Sequence, residues 1–495
     1  MRARPTLLLV LVLAVAGVTV SSSTPSLADA VRAGNRDAVR ALLRGKANVN
    51  AAEADGTTPL HYAVQANDLE TTTLLLKAGA SAKAANRYGI SPLSLSAING
   101  NAAIMKLLLD AGADANSTVS KGQTVLMTAA RTGSRDAVQL LLDRGANVAA
   151  TEETLGENAL MWAASENHAA VVALLLQRGA DANAKSKALT FPKPSFGLEG
   201  VLTILPRGGW PALMYAARDG GSDAARVLVE GGAEVDVADA EGTTPLLRAI
   251  QNSHYDTAAV LIEKGANPNL ADSSGMAALY AAVDMNSLGE IYGRPPRRVN
   301  DQHTALDVIA LLLDHKADPN APLKGPTLTR AHTPGDPVLG AGTTPLMRAA
   351  MHGDYRAMTL LLSRGADVKL AQRTGGTAIM FACGLGRGTS AFAEDVGTEA
   401  EMLKAVQVAI DHGADVNAAN TQGGTPMHFA AQSGFDSVIT LLAQKGAVLD
   451  AKDKQNRTPA DLARGVGVRG RAGGPAVLRP SSAALLEKLI AARAN

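Results

Sequence analysis

Residues 56–83 read GTTPLHYAVQANDLETTTLLLKAGASAK. Thr58 suits a helix N-cap, because its hydroxyl can accept a free backbone N–H. Pro59 suits the first helical position, where a missing N–H costs nothing. A second helix carries the Leu74-Leu75-Leu76 stripe and stops at Gly79, a residue fitted to a left-handed cap. One such pair of short helices has an apolar face that it cannot bury alone. Stability therefore requires stacked neighbours.

The neighbours are written in the chain. LLLDAGADAN, LLLDRGANVA, LLLQRGADAN, LIEKGANPN, LLLSRGADVK and AIDHGADVN repeat the second half of the phrase. Its alanine falls at 47, 80, 113, 146, 180, 233, 266, 317, 366, 414 and 447. The intervals are 33, 33, 33, 34, 53, 33, 51, 49, 48 and 33, so the unit is 33 residues and four intervals carry 20, 18, 16 and 15 extra. The first half returns as GISPLSLS at 89–96, GTTPLLRA at 242–249, GTTPLMRA at 342–349 and GGTPMHFA at 423–430. Random drift would not come back to the same period after each interruption.

The pattern resembles the ankyrin repeat, whose first-helix signature is TPLHxA, over about residues 25–495. The resemblance implies an all-α solenoid of about 12 helix-turn-helix units with β-hairpin finger loops. Repeats 1–5 then occupy 24–184, repeats 6–8 occupy 209–320 and repeats 9–11 occupy 342–453. A capping repeat with a Gly/Arg-rich interruption fills 454–495. The extra residues at 185–208 and 321–341 lengthen finger loops. Those at 286–303 and 384–400 fall between the two helices of one unit, as does the stretch 464–480. Their Gly and Pro content reads as loop rather than as added domains. Lys46 and Lys316 replace the capping glycine, and Val125, Ala159, Ala212, Ala278 and Ala378 replace the proline.

Composition narrows the function. The net charge is +1, from 47 basic and 46 acidic residues, which gives no general attraction to nucleic acid or to a membrane surface. The single cysteine, Cys383, excludes an internal disulfide and CxxC metal or haem sites. Residues 1–23 carry Arg2 and Arg4, an apolar run from Leu7 to Val20 and then small residues, which is the grammar of a cleaved signal peptide. The run of 14 is short for a bilayer core of about 30 Å, though an uncleaved inner-membrane anchor is the competing reading. The expected location is periplasmic or secreted, and the expected molecule is a monomer.

The resemblance also implies where a partner binds. In ankyrin proteins, the residues that end the first helix and the finger residue before TPLH commonly meet partners. By position these are Arg131, Thr132, Ser165, Glu166, Trp210, Arg218, Asp219, Gln251, Met351, His352, Gln432 and Ser433. Trp210 follows an interruption containing Phe191 and Phe196, and exposed Trp and Arg make good anchors. Each of these also reads as an ordinary solvated residue. Tyr62, Trp162, Tyr215, Tyr280, Phe381 and Phe429 read as one repeat position that faces the neighbouring unit, and so as packing between units. His61 and His428 belong to the TPLH phrase and read as partners for backbone groups.

Catalysis has little to stand on. HExxH, GxSxG and zinc-ligand spacings do not occur, and GLGRGTS at 384–390 lacks the lysine of a phosphate loop. An enzyme reading would use His303, His332 or His352 near the interruptions, and no motif supports it. Arg294, Arg297 and Arg298 form one basic spot, and Arg464, Arg469, Arg471 and Arg479 another; both read first as solvated loop. The sequence therefore points to a non-catalytic scaffold for a protein partner, with no cofactor, metal or nucleic acid. The alternative is a regulatory or inhibitory subunit of an extracytoplasmic enzyme. Three of the four interrupted intervals lie within 266–414, which makes that stretch the expected recognition region.

Overall fold

The computed structural model describes residues 26–189, 208–287, 300–325, 338–387, 397–467 and 477–494. The leader 1–23, Phe191, Phe196, Arg294, Arg297, Arg298, His332, Arg469 and Arg471 lie outside the described residues, as do the middles of the five interruptions. The described residues contain 24 α-helices in twelve consecutive pairs, which is the all-α repeat architecture expected from the sequence. The chain divides into two compact units, one ending at Asp114 and one starting at Ala115.

The first unit holds three pairs: Leu27–Arg32 with Arg36–Arg44, Pro59–Gln65 with Leu69–Lys77, and Pro92–Ile98 with Ala102–Asp110. The second holds nine. Pairs four to six are Val125–Arg131 with Arg135–Asp143, Ala159–Ser165 with Ala169–Gln177, and Ala212–Asp219 with Ser222–Glu230. Pairs seven to nine are Pro245–Gln251 with Tyr255–Glu263, Ala278–Ser287 with Ala305–Asp314, and Pro345–Met351 with Tyr355–Ser363. The last three are Ala378–Ala382 with Glu399–Asp411, Pro426–Ser433 with Asp436–Gln444, and Pro459–Ala463 with Pro480–Ala494.

Within each unit, a first helix packs on its own second helix and on the next first helix, while second helices stack on one another. The central residue of each apolar stripe supplies the core: Leu75, Leu108, Leu141, Leu175, Leu228, Leu261, Leu312, Leu361 and Leu442 are 0% exposed. Truncating a leucine so enclosed costs about 2–5 kcal/mol, so the stripe dominates every other local term.

Polar groups at the helix ends are satisfied locally and by the next pair. The Ser91, Thr124, Thr244, Thr344 and Thr458 hydroxyls accept a first-turn N–H, and Asn158 does so where threonine is missing. Asn116 donates to the Gly145 carbonyl at 3.0 Å and accepts from Asn147 N–H at 2.8 Å, one pair further on. Asn50, Asn183, Asn269, Asn320 and Asn417 make the same double link.

The fingers differ from the expected hairpins. Among the described residues they are tight turns carrying isolated β-bridges, such as Thr118 with Thr124 and Ala271 with Ala277, and no strands. The arms are too short for a ladder, so a single backbone bond, such as Asp272 N–H to the Met276 carbonyl at 3.1 Å, and a side chain close the turn together. Asp272 Oδ1 accepts from the N–H groups of Ser274 at 2.9 Å and Met276 at 3.0 Å. Single bonds join successive fingertips, among them Glu153 N–H to the Lys121 carbonyl at 2.9 Å and Lys454 N–H to the Gln422 carbonyl at 2.9 Å. At the neck of the first long finger, Ser186 N–H meets the Trp210 carbonyl at 3.0 Å and Trp210 N–H meets Ser186 Oγ at 3.1 Å.

Two departures read from the sequence take their expected form. Lys46 and Lys316 adopt φ of 56° and 66°, the left-handed region that glycine occupies in the other units. A side chain there costs about 1 kcal/mol, partly offset by the greater entropy glycine gives the unfolded chain. Lys316→Gly should therefore raise stability by about 0.5 kcal/mol in urea denaturation, and the carbonyl that Asn269 reaches is retained.

His61 and His428 hold backbone groups as expected. His61 Nδ1 accepts from Thr58 N–H at 3.1 Å and Nε2 donates to the Ile90 carbonyl at 3.0 Å. His428 repeats this with Thr425 at 3.2 Å and Arg457 at 3.1 Å. Both bonds together require the neutral ring. Burial is the main cause that holds both pKa values below the ordinary 6.5. The unfolded chain therefore takes up these protons first as pH falls. The contribution is complete above about pH 6.5 and is lost as pH drops from there toward the depressed folded values. Thermal unfolding followed from about pH 7.5 to 5.5 should show the midpoint falling, with a smaller fall in the double variant His61→Gln/His428→Gln.

Candidate protein-binding face

The repeat register decides what the first helices show to solvent. Thr128, Trp162, Tyr215 and Arg248 occupy equivalent positions in pairs four to seven, and Arg131, Ser165, Arg218 and Gln251 lie three residues further on in each helix. Because first helices pack on first helices, both sets form rows across neighbouring pairs. The finger residue before the cap, Glu157 in pair five and Trp210 in pair six, reaches the same place.

The rows enclose an open pocket of about 210 Å³, lined by Arg131, Glu157, Met161, Trp162, Ser165, Glu166, Tyr215 and Arg218. Guanidinium groups and aromatic rings alternate along it. Arg131 lies 5.6 Å from the Trp162 centroid and Arg218 lies 5.0 Å from that of Tyr215. Trp210 stands edge-on to Tyr215 at 5.8 Å, with Arg248 at 4.8 Å from its ring. Carboxylates fix the cations: Asp219 receives both Nε and Nη2 of Arg218 at 2.8 and 2.7 Å, and Glu166 meets Arg131 at 3.4 Å. Ser165 donates to Asp219 at 2.5 Å, which ties pair five to pair six. Trp162 Nε1 donates to Glu157 at 2.9 Å.

Electrostatics support a pre-set arrangement. Burial works against the charge of Arg218, but the fork to Asp219, with Tyr215 and Glu157 adding to it, leaves its pKa raised. Burial first, with the Glu157 carboxylate adding to it, holds the Tyr215 phenol well above its usual range. The pocket is thus nearly balanced in charge and rich in ring faces. It can take a side chain with an apolar stem and a polar end, the chemistry typical of an interface anchor site.

The twelve residues read from the sequence fall into separate groups. Arg131, Ser165, Glu166, Arg218 and Asp219 converge here, with Thr132 exposed at the helix end beside Arg131. Trp210 is 7% exposed, not an open anchor, because the neck pairing with Ser186 turns its ring inward against Tyr215 and Arg248. Gln251 is half-buried, within reach of the Met276 sulfur at 3.9 Å. Met351 is 5% exposed, packed beside the buried Arg348 that pairs with Asp284 at 2.5 Å. His352 is half-buried beside it in sequence. Gln432 is half-buried and Ser433 is buried in pair eleven. As folded, Trp210, Met351 and Ser433 shape the surface from beneath.

The sequence reading missed Glu157, Trp162 and Arg248. The aromatic series is packing for Tyr215, Tyr280 and Phe381, which are 5%, 2% and 0% exposed. Trp162, Tyr62 and Phe429 are only half-buried. Tyr280 stands one register earlier than the others, at the position of His61 and His428. The missing signal was an arginine three residues after, or one repeat before, an aromatic in this register.

Helix pairs repeated at a fixed register, bonded fingertip to fingertip, define the chain as a stacked helical-repeat protein. The sequence profile for ankyrin repeats (3 copies) matches residues 27–119, 93–186 and 202–272. The profile for ankyrin repeats (many copies) matches 389–443, and that for a single ankyrin repeat matches 341–372. The chain belongs to the ankyrin-repeat family, and as such it is a protein-binding scaffold of a generally non-catalytic class. Among solved structures it is similar to the human ASB11 ankyrin repeat domain, at 22% identity and a TM-score of 0.40, over 49% of this chain and 98% of that one. No curated protein matches the sequence significantly.

The fork at Asp219 makes one energetic demand testable. Asp219→Ala leaves the half-buried Arg218 cation without its carboxylate and Ser165 without its acceptor. A loss of about 2 kcal/mol is expected in urea denaturation, against under about 0.5 kcal/mol for Glu166→Ala at the exposed Arg131 pair.

Proposed function

We propose that this chain is a non-catalytic scaffold that binds a protein outside the cytoplasm, with the pocket between pairs four and six as its anchor site. The observation carrying this reading is the convergence of Arg131, Trp162, Glu166 and Arg218 on one open pocket whose polar groups are held in place before any partner arrives. Ordering side chains on binding costs affinity, so groups already fixed by Asp219 and Glu157 favour recognition. The pocket also lies beside the neck of the long finger at Ser186 and Trp210, and loops on a rigid frame commonly add contacts. The extracytoplasmic part of the reading rests on the leader-like residues 1–23.

Two measurements test it. Expression of the full chain in a bacterial host, followed by fractionation and mass analysis, should find the protein in the periplasm or medium, shortened by about 23 residues. Retention in the cytosol at full length would remove the extracytoplasmic claim. Crosslinking capture from that compartment should then recover a specific protein. Recovery should fall at least about tenfold in Arg131→Ala/Trp162→Ala/Arg218→Ala, the loss typical of removing an anchor cluster. Unchanged recovery would place the interface elsewhere on the array.

A further inference from the structure

The turn Ser433-Gly434-Phe435 joins the two helices of pair eleven. Arginines from the pairs on either side converge on it. Arg387 follows the short first helix of pair ten, and its guanidinium carbon lies 4.6 Å from the Phe435 ring centroid. Its Nη1 donates to the Gly397 carbonyl at 3.3 Å. Arg479 comes from pair twelve, anchored by its own N–H to the Ala463 carbonyl at 2.7 Å. Its side chain crosses Gly434 so closely that a Cβ there would stand 2.7 Å from Arg479 Cδ and 3.0 Å from Nε. The absence of a side chain at Gly434 is what admits the arginine.

Among the described residues these cations form no ion pair: neither guanidinium has a carboxylate within ion-pair distance, although most other half-buried arginines of the chain do. Among the described residues the Nε of Arg479, enclosed over Gly434, has no hydrogen-bond partner. Glu399 is the acid that bears on Arg387, but its Oε1 is occupied by Ser437, whose N–H and Oγ donate at 2.8 and 2.7 Å. Burial, and then the like charge of Arg479, hold the Arg387 pKa below its ordinary value. Two half-buried cations converging on one Gly–Phe turn are costly unless something negative joins them.

We propose that Arg387 and Arg479 form a binding site for a phosphate-type oxyanion, taken either as the free ion or as a phosphate monoester group. Guanidinium forks match the oxygens of such a group in pairs. A tetrahedral dianion presents oxygens to both arginines and cancels both charges, whereas a carboxylate offers two oxygens and a single charge. The Phe435 ring keeps Arg387 in place, and the terminal nitrogens of Arg479, which bond nothing among the described residues, are the donors left for the ligand. The site lies at the edge where two interruptions leave the array, apart from the pocket of pairs four to six, and it does not depend on that pocket's role.

The test uses the full chain in phosphate-free buffer at constant ionic strength. Thermal unfolding and calorimetric titration are followed with inorganic phosphate, phenyl phosphate and acetate. Inorganic phosphate should raise the unfolding temperature saturably, with acetate giving no comparable rise. Arg387→Gln and Arg479→Gln should each weaken phosphate binding by at least about tenfold. Without phosphate, both variants should unfold at or above the parent temperature, because a repulsion is removed. A response to inorganic phosphate alone assigns the site to the free ion, and an equal or stronger response to phenyl phosphate assigns it to a monoester. The proposal is overturned if calorimetry on the parent finds no phosphate binding, if acetate matches phosphate, or if binding persists in both variants. It is equally overturned if both substitutions lower stability without phosphate, since that would mark a purely structural pair.

Discussion

An apolar face that one helix pair cannot cover by itself is the constraint from which the rest of this structure follows. Leu175 is wholly enclosed only because pairs four and six stand against its own. Once pairs must stack, their exposed helix ends lie against each other at a fixed spacing, and their free backbone groups need partners at that spacing. Asn116, His428 and the fingertip bonds answer that need, each reaching one pair further along the chain. The hydrogen bonds are individually modest, about 1 kcal/mol net. Their role is to fix the rotation and rise of one pair on the next, so that the leucines interlock in a single register.

This arithmetic explains which parts were legible in the chain. The stripe, the Thr-Pro start and the glycine stop each reflect a local requirement, and the twelve pairs followed from them. Lys46 and Lys316 could be read as left-handed because the period left them no other conformation. The fingers were less legible. Whether two short arms form strands or a side-chain-closed turn depends on groups such as Asp272 competing with the ladder, and spacing does not record that competition. Exposure was the least legible property. Trp210 occupies a finger register that is open in principle, yet Ser186, from the far side of an interruption, folds it inward.

The pocket shows how a regular scaffold produces an irregular site. Register alone places Thr128, Trp162, Tyr215 and Arg248 in one row. The row becomes a site where aromatic and cationic members alternate and where Asp219 and Glu157 hold them. In pair eight the same position is Ala281, and in pair nine it is Arg348, sunk against Asp284. The scaffold is therefore the same throughout, while the recognition chemistry is local to a few adjacent pairs.

The two arginine settings of the second unit are opposites in the same terms. Arg218 is half-buried and neutralised by a bidentate carboxylate, so its charge is spent on holding the pocket's shape. Arg387 and Arg479 are half-buried with no such partner among the described residues. Desolvating a guanidinium costs the same kind of free energy in both settings. What differs is when the opposing charge arrives: Asp219 supplies it during folding, whereas at the Ser433-Gly434-Phe435 turn the proposed oxyanion supplies it. A cation satisfied by the fold rigidifies a surface for shape recognition, and one left unsatisfied selects for charge.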